Sequence, residues 1–227
     1  MTREYLDRRV HQLEDEILLL GSMVEQAVLH SVETLRTQDT RGAKAIIEDD
    51  IIINEKRYAI ENAILITIAT QQPVGRDLRR LAAMLEVSTE LERMGDYAKG
   101  IAKVTMRLVN CEIEVPYREI NQMAELSVGM LHRALGAFIA ENPNVASAIP
   151  AEDDLVDELY NRVYHTVVNL TIQNPEIVDK ANHIMWVAHN LERMADRVTN
   201  ICERTVFIAT GELLDMDTSD DEDDIDE

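Results

Sequence analysis

The sequence predicts an all-α fold built as a tandem repeat of two antiparallel three-helix bundles. Three observations carry that reading. Apolar residues recur at steps of three and four over long stretches free of proline, which is the period of an amphipathic helix. With 8 Gly and 5 Pro in 227 residues there is too little turn chemistry for a strand-rich chain. The stretch LERMGD, residues 91–96, returns one hundred residues later as LERMAD, residues 191–196. A period that long marks a duplicated domain.

A first helix is expected from about Arg3 to Arg36, where Val10, Leu13, Ile17, Leu20, Val24, Val28 and Leu35 form one stripe; Thr37, Gln38 and Asp39 end it. The second begins near Gly42 and runs through Ile46, Ile53, Ile60, Ile64 and Ile68 to Gln71, Gln72 and Pro73. So much isoleucine favours a strand, but the length and the spacing favour a helix, and Pro73 cannot continue it. The third starts near Gly75 and Arg76. It carries Met84, Val87, Leu91, Met94, Ala98, Ile101, Thr105 and Leu108, the alternating seam of a helical bundle.

Residues Cys111 to Tyr117, with Pro116, separate the halves, and the scheme restarts. A helix is expected from Tyr117 to about Ala140, then a loop holding Asn142, Pro143, Asn144 and Pro150. A helix from about Glu152 to Gln173 follows, with a break at Asn174 and Pro175. The last helix runs to about Thr210, with Gly211 as its C-terminal cap. Within it Ile184, Val187, Leu191, Met194, Val198, Ile201, Thr205 and Ile208 repeat the seam of the third helix, offset by one hundred. The domains are therefore drawn at 1–110 and 111–212, with an acidic tail at 213–227 too poor in apolar residues to order itself.

A formal net charge of -21 argues against direct binding of nucleic acid or anionic lipid, because both need a basic surface. Nine of the acids lie in the tail, and the body remains acidic without them. The two cysteines, Cys111 and Cys202, form no CxxC pair, and Cys202 reads as a small buried side chain within an apolar pattern. The opening MTREYLDRR lacks the apolar core of a signal peptide, and no apolar run approaches the roughly 18 residues needed to span a bilayer. A cytoplasmic protein without membrane insertion is expected.

Each LERMxD copy places a Glu and an Asp four residues apart, Glu92 with Asp96 and Glu192 with Asp196, one above the other on one helix face. A second i, i+4 pair precedes each hairpin: Asp50 with Asn54, and Asp153 with Asp157. Asp50 and Asp96 are each 23 residues from Pro73, and Asn54 and Glu92 are each 19 away. In the second half Asp153 and Asp157 precede Pro175 by 22 and 18, while Asp196 and Glu192 follow it by 21 and 17. In an antiparallel hairpin the pairs then face each other at one level. Like charges cluster favourably only around something positive, and carboxylates on facing helices are how bundles hold di-iron or di-manganese centres. One polynuclear metal site per half is therefore expected, with hard cations such as iron, manganese or magnesium preferred to copper. His189, one turn before Glu192, is a weaker candidate ligand whose counterpart in the first half is Thr89.

These residues resemble the PhoU family of phosphate-transport accessory proteins. The family's acid followed four on by Asp or Asn is similar to Asp50 and Asn54, and to Asp153 and Asp157. Its QPxxxDLR turn resembles Gln72, Pro73, Asp77, Leu78 and Arg79, its ERxxD signature occurs twice, and its closing segment is similar to Phe207, Ile208, Ala209, Thr210 and Gly211. The resemblance runs from about residue 5 to 212. It implies a PhoU-like tandem of three-helix bundles, a cytoplasmic negative regulator of phosphate uptake and of the phosphate-starvation response. It also implies contacts with the phosphate ABC transporter ATPase and the sensor histidine kinase, a homodimer, and multinuclear metal clusters, iron first, at the acidic pairs. Three departures stand out: Asn54 gives the first site one charge fewer, the second half lacks the DLR turn, and the acidic tail lies outside the pattern.

Two other readings compete. A ferritin-like di-metal oxidase would use Glu-x-x-His on two helices, whereas Glu90, Glu92, Glu192 and Glu203 have no His three positions on. A metal-free helical adaptor would use the acidic faces only to meet basic partners. Ordinary catalysis has no support, since the chain contains no GxSxG elbow, phosphate-cradling glycine loop or Cys beside His at motif spacing; no enzyme is expected.

Overall fold

A computed structural model describes residues 3–109 and 114–216. Its long helices are α1 (Arg3–Thr37), α2 (Thr40–Gln71), α3 (Arg76–Leu108), α4 (Tyr117–Ile139), α6 (Asp153–Gln173) and α7 (Val178–Thr210), with α5 (Pro143–Ala146) a single turn between α4 and α6. The fold is all-α, two three-helix bundles in tandem, as the sequence predicts. Cys111, the expected boundary between residues 110 and 111, and the tail from residue 217 on lie outside the described residues.

The first link between helices corrects the expected boundaries. Asp39 does not end α1 but caps α2, its side chain accepting from the backbone N–H groups of Arg41 and Gly42 at 3.0 Å each. Gln38 takes the left-handed conformation (φ 53°), and Asp39 N–H closes on Thr34 O at 2.9 Å, a hydrogen-bonded C-terminal lock for α1. The duplication repeats the device: Glu141 has φ 46°, Asn142 N–H meets Ala137 O at 2.9 Å, and the Asn142 side chain caps α5. The expected loop after α4 thus holds α5 and a 3-10 turn, Pro150–Glu152. Asp39→Ala should cost about 1 kcal/mol, read as a lower midpoint in urea with an unchanged slope. α7 ends at Gly211 in the left-handed conformation (φ 83°), the cap its sequence predicts.

The helices that carry LERMxD are the centre of the molecule. α3 packs on α1, α2 and α7, while α7 packs on α3, α4 and α6. Their seams are buried: Met84, Val87, Leu91, Met94, Ala98 and Ile101 on α3, and Ile184, Val187, Leu191, Met194, Val198 and Ile201 on α7. Polar contacts show that the two run antiparallel: Arg79 Nη2 donates to Ile208 O at 3.2 Å, Arg204 Nε lies 2.6 Å from Glu86 Oε2, and Arg197 Nε donates to Tyr97 Oη at 3.3 Å. At Gly100 a Cβ would come within 2.8 Å of Asn190 Nδ2, so the missing side chain lets α7 close on α3. Cys202 is fully buried, and desolvation pushes its thiol up to about 12. No helix among the described residues is long and apolar enough to cross a membrane.

Candidate metal centre

The first acidic set assembles between α2 and α3. Asp50 is only 6% exposed, Asn54 and Glu92 are half-buried, and Asp96 is exposed. A Cβ at Gly95 would lie 3.2 Å from the Ile53 side chain, so this glycine lets α2 approach beside the pairs. Burial raises the Glu92 carboxyl above its ordinary range; the charges of Asp96 and Asp50 add to this, and Arg57 and Arg93 oppose it. That coupling, together with the lysine described next, places the four predicted residues in one neighbourhood.

A cation of the chain itself stands among them. Lys99, one turn beyond Asp96, places Nζ 2.6 Å from Asp50 Oδ2 and 3.5 Å from Asp96 Oδ1. Asn54 Nδ2 donates to the same Asp50 Oδ2 at 3.0 Å. The hydrogen bond to Asp50 holds the Lys99 ammonium above its ordinary range. Arg57, one turn after Asn54, brings Nη2 to 3.5 Å from Thr89 Oγ1, close enough for its charge to act on Glu92.

The second set is carried on α6 and α7, with Asp153, Asp157, Glu192 and Asp196 half-buried and His189 exposed. His189 Nδ1 stands 3.3 Å from Glu192 Oε2, and Arg193 Nη1 donates to Asp196 Oδ2 at 2.7 Å. By contrast Arg93, the matching residue of the first half, turns away to Glu90 at 2.8 Å. Tyr160, one turn past Asp157, has its hydroxyl pushed up by burial and then by the Glu192 charge, which puts α6 within the field of the α7 pair. Thr199 occupies the position that corresponds to Lys99, 4% exposed, and Tyr160 the one that corresponds to Arg57.

Among the described residues, no three His, Cys, Asp or Glu side chains are gathered as a group that could hold a metal ion. By donor chemistry the two sets still differ. Four carboxylates with a neighbouring imidazole suit a hard divalent cation. Two carboxylates, Asp50 and Asp96, that already hold an ammonium between them suit it less. Sequence reasoning named the acids of both sets as candidates and did not name Lys99, Arg57 or Tyr160. The available signal was the helical step, since Lys99 is three residues from Asp96 and Arg57 three from Asn54. It also missed the groove of about 730 Å³ between α3 and α7, where Asp96, Lys99, Lys103, Trp186, His189 and Arg193 line one opening.

Fold and site define a duplicated helical-bundle protein whose halves present matched acidic pairs on neighbouring helices. The PhoU domain matches the chain twice, at residues 17–105 and 120–205. The phosphate-specific transport system accessory protein PhoU homolog of Clostridium acetobutylicum is 35% identical over 217 residues, covering 95% of this chain and 99% of that one. A homolog of the same description from Streptococcus pneumoniae serotype 4 is 32% identical, covering 94% and 99%. The crystal structure of the phosphate transport system regulatory protein PhoU from Streptococcus pneumoniae superposes with a TM-score of 0.86 at 32% identity, over 92% of this chain and 99% of that chain. PhoU from Pseudomonas aeruginosa superposes with a TM-score of 0.84 at 26% identity, over 91% and 99%. The chain belongs to the PhoU family.

Proposed function

We propose that this protein regulates phosphate transport, acting in the cytoplasm as a negative regulator of phosphate uptake and of phosphate-starvation signalling. The observation that carries the reading is the match of a PhoU domain to each half, within a chain that aligns end to end with phosphate-transport accessory proteins. Its action is by contact and not by catalysis, with the phosphate ABC transporter ATPase and a sensor histidine kinase as partners and a homodimer as the working form.

The second acidic set, Asp153, Asp157, Glu192 and Asp196 with His189 at its edge, is where metal would be held, iron first and manganese or magnesium as alternatives. Bound there, a metal would neutralise the clustered carboxylates and tie α6 to α7. A metal-free adaptor is the second reading, favoured by one observation: no group of three potential ligands is gathered among the described residues.

Immobilised full-length protein offered the purified transporter ATPase and the cytoplasmic part of the kinase is expected to retain both. Retention of neither would contradict the partner reading.

A further inference from the structure

We propose that the groove between α3 and α7 binds a nucleoside polyphosphate: its basic side chains and buried amide take the phosphates, and Trp186 stacks on the base. The chain as a whole is acidic, with a formal net charge of -21, yet five of the side chains that line this groove are basic, Lys99, Lys103, Arg107, Arg193 and Arg197, against one carboxylate, Asp96. Lys99, Lys103 and Arg107 follow at four-residue steps along one side of α3. Three of the five are anchored from the flanks: Lys99 by Asp50, Arg193 by Asp196, and Arg197 by Tyr97 and Glu90. Lys103 is exposed and makes no ion pair among the described residues. A cleft lined by one sign of charge draws in a ligand of the other.

The wall of the groove adds an unused donor. Asn190 is 5% exposed, and among the described residues its Nδ2 has no hydrogen-bond partner. A buried N–H left without an acceptor is costly, so one without a partner in the chain points to a partner from outside it. At Gly100 a Cβ would lie 2.8 Å from this Nδ2 and 3.8 Å from Trp186 Nε1. Two nitrogens that carry N–H groups therefore border one notch, which the absent side chain of Gly100 leaves open. A phosphate oxygen seated beside the notch would accept from Asn190 while Lys103 and Arg107 neutralise its charge.

The duplication shows what is special at this end of the α3–α7 seam. With the offset of one hundred, Trp186 corresponds to Glu86 and Val104 to Arg204. Glu86 and Arg204 close the opposite end of the seam as an ion pair at 2.6 Å. Here Val104 is buried in the wall of the groove, and Trp186, the one tryptophan of the chain, is 56% exposed. A large ring left in solvent beside basic side chains is a platform on which a nucleobase stacks. The volume of about 730 Å³ is that of a site for a nucleotide-sized ligand.

The test follows Trp186 fluorescence in full-length protein titrated with ATP, with calorimetry for every variant. Excess EDTA keeps metal out, and about 0.15 M KCl screens exposed charges beyond a Debye length. A saturable change at one ATP per chain is expected. Trp186→Leu, and separately Lys103→Gln with Arg107→Gln, should each weaken binding about tenfold or more at unchanged helicity. Asn190→Ala should weaken it about fivefold. Trp186→Phe, which keeps a stacking ring, should stay within about threefold of the native chain. Inorganic triphosphate should bind about tenfold more weakly than ATP, because it has no base to stack. No saturable binding to the native chain would overturn the proposal. So would native affinity in Trp186→Leu or in the Lys103, Arg107 variant, or triphosphate bound as tightly as ATP.

Discussion

Arg80→Ala is expected to destabilise the fold by about 3 kcal/mol, because it leaves Glu14 as a charge buried without its partner. Glu14, on α1, is 5% exposed and is paired with Arg80 of α3. The same guanidinium reaches Glu141, just past α4, at 3.1 Å, and Arg76 pairs with Glu141 as well. One α3 side chain therefore ties α1 of the first half to the turn after α4 of the second. For a chain of this length the loss corresponds to a fall of roughly 10 °C in the unfolding midpoint, measured by circular dichroism on heating. Glu14→Met combined with Arg80→Met should recover most of it, since the cost lies in the stranded charge and not in the pair. An Arg80→Ala protein within a degree or two of wild type would show that the pair holds nothing together.

The second large effect concerns regulation. Glu192→Ala with Asp196→Ala is expected to abolish most of the repression that the protein exerts on a phosphate-starvation reporter, at unchanged protein level and helicity. Both side chains are half-buried on α7 and belong to the acidic set at which metal binding is proposed. Full repression by the Glu192, Asp196 variant would favour a metal-free adaptor.

Most of the fold was legible because it is written in period. The seams from Met84 to Leu108 and from Ile184 to Ile208 are buried as their spacing requires, and a pattern that long leaves little freedom between helix and strand. The ends were less legible, since they depend on side chains that act for a neighbouring element. Asp39 looks like the end of one helix but caps the next, and α5 is a single turn fixed by the Asn142 cap and Pro143.

The i, i+4 spacing and the distance to the hairpin prolines pick out the acids as candidates. Their counter-ions are not picked out. Lys99 reaches Asp50 across 49 residues, and only the approach of α2 to α3 makes that contact. Nor does a hundred-residue repeat reveal that α7 lies antiparallel against α3, which brings Asp96 and His189 to one groove. Sequence gives the faces of a helix, whereas packing decides which face meets which.

The account is tested most directly by phosphate uptake and a starvation-reporter signal in cells grown with ample phosphate, with the gene for this protein removed and then restored. Removal is expected to raise both uptake and reporter severalfold, and restoration of wild type to return them to their starting level. Uptake and reporter unchanged by removal would contradict the assignment of this chain as a negative regulator of phosphate transport.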